Sequence, residues 1–126
     1  MINDNGEAVM TEIDEIQFES EVLKSNRPAM VMFWAPWSAP CKILTPVMDR
    51  VAMACGGNVK VFKINADDHP SLSLWYGVQS IPTVLYFVRG TLRGQMVGTA
   101  SKEAILSLLR RNSNAERDQF AARKDQ

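Results

Sequence analysis

A chain of 126 residues, with 46% hydrophobic and 22% charged side chains, has enough apolar material for one globular domain with a sizeable core. Its 14 basic and 14 acidic residues cancel, and without a basic cluster neither nucleic acid nor an anionic membrane is an expected partner. Two cysteines and one histidine, which lack any ligand-pair spacing, predict neither a disulfide framework nor a metal site.

The N-terminal third predicts a short strand, a helix and a buried strand. Residues 1–7 carry no basic segment leading into an apolar one, and no run in the chain approaches the length of a membrane span, so we expect a flexible terminus and a cytoplasmic protein. The apolar patch 8–10 predicts an edge strand. Between Asp14 and Pro28 a helical stripe predicts these inward residues: Ile16, Phe18, Val22 and Leu23. The continuous apolar run 29–34 predicts a central strand covered on both faces.

The middle of the chain predicts a long helix, a strand and a short helix. We expect Pro46 to kink the helix over 40–54 and the glycines at 56 and 57 to close it. Its predicted core positions are Cys41, Leu44, Val47, Met48, Val51 and either Met53 or Ala54. A core strand over 59–64 and a helix over 72–76 follow, separated by a turn.

The C-terminal third predicts a hairpin and a last helix. Strands are expected over 83–88 and 95–97, joined by the connection 89–94. Ser101 is the predicted N-cap of a helix with inward residues Ala104, Ile105, Leu108 and Leu109. The polar residues 113–126 predict a helical extension or a loose tail. This order of elements indicates an α/β fold, with a central mixed sheet flanked by helices on both faces.

One stretch, residues 33–46, joins a predicted strand to the start of the long helix. Ser38 stands before Ala39 and Pro40, and serine at the N-cap with proline in the first turn is what a helix start prefers. A thiol at such an end is driven towards the thiolate by the helix dipole.

At this turn the sequence resembles the thioredoxin family, whose signature is Trp-Cys-Gly-Pro-Cys-Lys. Here it stands as Trp37-Ser38-Ala39-Pro40-Cys41-Lys42. The family pattern is also matched, in order and spacing, at 33–35, Pro46, 63–65, 81–83 and Gly98. The resemblance covers the predicted domain, 8–112, and identifies the chain as a member of this family of thiol-disulfide oxidoreductases.

The resemblance implies a thioredoxin-like fold with a cis-proline loop at Ile81-Pro82, and no cofactor. It implies protein thiols and disulfides or extended polypeptide segments as partners, with glutathione and a thioredoxin reductase as further candidates. Trp37 is the expected exposed contact, whereas Trp34 is expected inside its strand. The implied substrate groove is lined by Trp37, Ala39, Pro40, Ile81, Pro82, Gly98 and Thr99.

Two departures from the family pattern bear on activity. The attacking cysteine of the family is Ser38 here, and the acidic residue that the family buries beneath it falls on Met32, which we interpret as a core residue. Disulfide reduction needs an attacking thiolate and a second thiol, and only the second, Cys41, is present. A hydroxyl needs a positioned base to attack, and we do not expect His69 to reach Ser38, so no serine hydrolase is predicted.

Cys55 does not supply the missing thiol. It lies on the same predicted helix as Cys41, so the two Cα atoms should be roughly 21 Å apart, and a disulfide tolerates only about 7 Å. We interpret Cys55 as a small, partly buried residue at a helix end.

Three functions stay open, and with them whether the chain is an enzyme. The first is a redox protein limited to monothiol exchange through Cys41. The second is a non-catalytic module for clients or extended segments, since a similar Ser-x-x-Cys occurs in the chaperedoxin family, whose members act as holdases. The third is an active-site Cys→Ser form of an active thioredoxin. Because Met32 and Ala39 also depart from the family, natural divergence is favoured over an engineered Ser38.

Overall fold

A computed structural model describes residues 9–112 and places a five-stranded mixed sheet at their centre, in the order β1-β3-β2-β4-β5. The strands are β1 (Thr11–Glu12), β2 (Ala29–Trp34), β3 (Lys60–Asn65), β4 (Thr83–Val88) and β5 (Thr91–Val97). β3 runs parallel to both β1 and β2, whereas β4 is antiparallel to β2 and β5 is antiparallel to β4. This sheet confirms the predicted fold class.

Helices cover both faces of the sheet. They are α1 (Glu15–Phe18), which continues as a π-helix (Glu19–Leu23), α2 (Ala39–Cys55), α3 (Pro70–Trp75) and α4, which spans 102–112. Alternate strand residues separate into two cores: Met30 and Met32 pack with α2 and α4, and Val31 and Phe33 pack with α1 and α3. Because both faces are covered, β2 and β4 are nearly continuous apolar runs, which is why their predicted bounds are right. No helix among residues 9–112 combines the length and the apolar character that crossing a membrane requires.

Several predicted boundaries and orientations are wrong. The first strand is Thr11–Glu12 rather than 8–10, because these are the residues that pair with β3, while Met10 is buried in a core. Ile16 is exposed, because the inward positions of its helix are Phe18 and Val22, spaced four residues apart, and Ile16 lies on the other side. In α2, both Met53 and Ala54 are exposed, and Ala52 takes the inward place instead.

The hairpin is tighter than the sequence predicts. β5 begins at Thr91, so the predicted connection 89–94 is mostly strand, and Arg89 and Gly90 make the turn. β5 is an edge strand with mostly exposed or half-buried side chains, and its polar sequence therefore resembles a loop.

Pro46 lies within α2, and its kink stays a prediction. The predictions for 1–7 and 113–126 lie outside the described residues.

We expect Gly90→Ala to destabilise the fold far more than the same change at another positive-φ glycine. Gly90 has φ 79°, and a Cβ there would overlap the backbone carbonyl oxygen of Leu23, so strain and a backbone clash combine to give a loss of about 2–4 kcal/mol. Gly77, with φ 66° and open space around its Cβ position, is the matched control and should lose about 1 kcal/mol. Urea unfolding followed by circular dichroism measures both, and equal losses would contradict the assigned contact.

Candidate active site

The turn between β2 and α2 is built around Ser38. Its backbone is extended, with φ −88° and ψ 115°, and its Oγ accepts a hydrogen bond of 3.3 Å from the backbone N–H of Cys41. Pro40 occupies the first turn, where its missing N–H leaves no hydrogen bond unmade. Ser38 is therefore the N-cap of α2, as predicted. With only 4% of its surface exposed, its hydroxyl is largely shielded from solvent.

Cys41 lies in the first turn of α2 with its side chain directed into the core, as the helical stripe predicts. It is a free cysteine and only 1% exposed, and it belongs to the same buried cluster as Met32 and Leu44. Its carbonyl accepts a hydrogen bond of 2.8 Å from Thr45 Oγ1 one turn later. A disulfide in solution therefore has almost no access to the Cys41 sulfur in this structure.

Trp37 is held in place through its indole edge. Its Nε1–H donates a hydrogen bond of 2.7 Å to Asp67 Oδ2, while 69% of the residue stays exposed, as the sequence predicts. Asp67 is positioned in turn by Asn65, whose Oδ1 accepts from the backbone N–H groups of Asp67 at 2.9 Å and Asp68 at 3.3 Å. The indole orientation is thus fixed by the residues that follow β3.

The sequence predicts Asp67 only as part of the turn between β3 and α3. Asn65-Ala66-Asp67 after a strand is the pattern of an Asx-turn, which would have placed the carboxylate. Because β2 and β3 are parallel, their carboxyl ends meet at one edge of the sheet, and Trp37 follows one end while Asp67 follows the other. Given this topology, the sequence places Trp37 and Asp67 at the same edge of the sheet.

The Ile81–Pro82 peptide bond is cis and lies next to the start of β4. Pro82 is buried and its carbonyl accepts a hydrogen bond of 2.8 Å from the N–H of Gly98. Gly98 thus continues the pairing of β5 with β4 beyond Val97. The backbone N–H of Ile81 donates to no backbone carbonyl among residues 9–112, and its carbonyl accepts from no backbone N–H among them.

The predicted groove residues fall into three segments. Trp37 and Ile81 line one cleft, and Gly98 is bonded to Pro82. Ala39 and Pro40, in the first turn of α2, and Thr99, after Gly98, are all exposed. Whether these segments bind a substrate stays a prediction.

An unpredicted cleft of about 580 Å³ opens between Trp37 and α3. Its walls include Asp67, Leu74, Val78 and Ile81. The cleft extends the exposed surface of Trp37 towards a helix that the sequence did not connect with the site.

The family model for thioredoxin matches residues 9–111. The chain belongs to the thioredoxin family. Thioredoxins of Pyropia yezoensis and Rickettsia felis are each 37% identical over 100 residues, which is 79% of this chain and 94% and 95% of theirs. A chloroplastic M-type thioredoxin of Brassica napus is 40% identical over 93 residues, 74% of this chain and 52% of its own. These findings confirm the resemblance and support a redox family whose partners are protein thiols and disulfides.

Met32 is a fully buried residue of this thioredoxin fold. It is fully buried on β2, between Lys63 of β3 and Val84 of β4, and it packs in the cluster that contains Cys41. The interpretation of Met32 as a core residue is confirmed. Lys63 on the neighbouring strand directs its ammonium over the ring of Trp34, 4.7 Å from the centroid, in a cation–π contact.

Cys55 and His69 take no part in the turn. Cys55 ends α2, opposite to the end that carries Cys41, and it is free and half-buried as interpreted. Burial raises the pKa of the Cys55 thiol, which lowers its thiolate fraction at neutral pH. His69 Nδ1 lies 3.4 Å from Glu15 Oε1, so its imidazole is directed to α1.

Proposed function

We propose that this thioredoxin-family protein does not turn over as a dithiol reductase and that its thiol exchange is limited to Cys41. The observation that carries the proposal is the N-cap of α2, where a hydroxyl holds the Cys41 N–H at the position of the attacking thiol. A serine hydroxyl is far less acidic than a thiol, and the one histidine of the chain faces Glu15.

The proposed reaction is thiol–disulfide exchange through a mixed disulfide on Cys41. The Cys41 thiolate attacks one sulfur of a partner disulfide, forms a mixed disulfide with it, and the other partner sulfur leaves as a thiolate. Without a thiol at Ser38, the mixed disulfide persists until an external thiol such as glutathione attacks and releases Cys41. A cytoplasmic location, the expectation from the sequence, would supply that thiol.

A second candidate is a binding module for extended polypeptide. The burial of Cys41 favours it, because a thiol that is 1% exposed exchanges only when the structure around it opens. Trp37 offers an exposed aromatic ring, and the unpaired backbone groups of Ile81 offer hydrogen bonds of the kind that an added strand makes. The further groove residues of this candidate are those predicted from the resemblance.

Mass spectrometry after incubation with glutathione disulfide separates the two candidates. In a Cys55→Ser background we expect an adduct on Cys41 that an added thiol removes, and Cys41→Ala in the same background should give none. The same protein is then titrated with an extended cysteine-free peptide and followed by amide shifts. Shifts around Trp37 and Ile81 without an adduct would support the binding module and reject thiol exchange at Cys41. The absence of both adduct and shifts would reject both candidates.

A further inference from the structure

Two large apolar side chains on α3 are unusually exposed. Leu74 is 83% exposed and Trp75 is 80% exposed. The packing of α3 explains why, because Leu72 and the C-cap residue Tyr76, one helical turn later, make its contacts with the core. This spacing leaves Leu74 and Trp75 outside the interface. Adjacent exposed leucine and tryptophan serve no packing purpose in the monomer and mark a contact surface.

One member of this apolar pair, Leu74, shares a cleft with the exposed ring of Trp37. Leu74 lines the cleft whose other wall is Trp37, and Trp75 is its neighbour on α3. The hydrogen bond from Trp37 to Asp67 fixes the indole before any partner arrives, so little rotamer freedom is lost on binding. The result is a preorganised apolar surface.

The segment that carries α3 contributes negative charge to this surface and no lysine or arginine. Asp67 lines the cleft and Asp68 follows it, whereas residues 64–88 contain no lysine or arginine. The imidazole of His69 faces Glu15 on α1. A partner that covers this surface therefore meets carboxylates at the rim of an apolar centre.

We propose that this α3 surface, defined by Trp37, Asp67, Asp68, Leu74 and Trp75, docks a polypeptide segment that presents large apolar side chains beside lysine or arginine. The apolar side chains cover Leu74, Trp75 and the Trp37 ring, and the basic groups pair with the carboxylates. A second copy of this chain fits worse, because a two-fold contact over this surface would place its carboxylates near their own counterparts. The surface gives partner recognition that does not depend on exchange at Cys41.

The test measures binding of short, unstructured, cysteine-free peptides to the full chain by fluorescence anisotropy. One peptide combines leucine with lysine, the second replaces lysine by glutamate, and the third replaces leucine by serine. We expect the leucine-lysine peptide to bind most tightly and to weaken as salt is raised. Leu74→Ser with Trp75→Ser should raise its Kd by at least about tenfold.

The matched control is Met53→Ser, which removes another exposed apolar side chain on α2, on the opposite face of the sheet, and should leave the Kd unchanged. Cys41→Ala should also bind the peptide normally, so a failure of thiol exchange and a failure of docking are separate results. An unchanged Kd in the α3 double variant, or equal binding of the glutamate peptide, overturns the proposal. Self-association of the parent chain in sedimentation experiments, lost in the double variant, would assign the surface to a second copy and also overturn it.

Discussion

Ser38→Cys should raise insulin reduction from the uncatalysed background by at least about a hundredfold, because it supplies the one reacting group that the site lacks. The new thiol would stand at the N-cap of α2, where the helix dipole favours the thiolate, and three residues before Cys41, within reach of a disulfide. The relatives named thioredoxin support the expectation that this scaffold suits dithiol chemistry.

The matched variant for this gain is Ser38→Ala. It removes the cap hydrogen bond to the Cys41 N–H and should lower the free energy of unfolding by about 1 kcal/mol without giving activity. If mild oxidation of the Ser38→Cys variant yields no disulfide to Cys41, the assigned geometry of the turn is wrong.

Met32→Asp should cause the largest loss of stability, about 3–5 kcal/mol at neutral pH, because it places a carboxyl group at a fully buried position beside Cys41 and Leu44. Burial would raise the folded-state pKa of this carboxyl above the unfolded value of about 4. The unfolded chain would then release its proton first as the pH rises, so the loss grows above about pH 4 and is smaller below it.

Met32→Asn is the control for this prediction, since it buries a polar side chain of similar size to aspartate that does not ionise. Its loss should be nearly independent of pH, and urea midpoints at acidic and neutral pH measure both variants. Identical pH dependence of the two would show that the position is reached by water. In the Ser38→Cys background, Met32→Asp should increase the reduction rate further, because a carboxyl group in the same cluster as Cys41 can act as a general acid or base for the thiols.

The sequence predicts the centre of this fold better than its edges, for a physical reason. β2 and β4 are covered on both faces, so hydrophobicity alone marks their length. β5 has a solvent-exposed edge, and its sequence from Thr91 to Gly94 gives no strand pattern. The N-cap at Ser38 and the inward position of Cys41 depend on local chemistry and helical spacing, and both were predictable.

The parts of the site that were missed depend on contacts between distant segments. Trp37 and Asp67 are 30 residues apart, and only the parallel pairing of β2 with β3 brings them together. The face of α3 that exposes Leu74 and Trp75 could not be read from six residues, because so short a helix shows less than two turns of periodicity.

The most direct test of the central claim is insulin reduction by the unmodified chain, driven by NADPH and a thioredoxin reductase. Because Cys41 is a single thiol at the start of α2, the unmodified chain should give a rate equal to that measured without protein. Cys41→Ala should give the same rate. Turnover comparable to that of a thioredoxin with two active-site cysteines would contradict it.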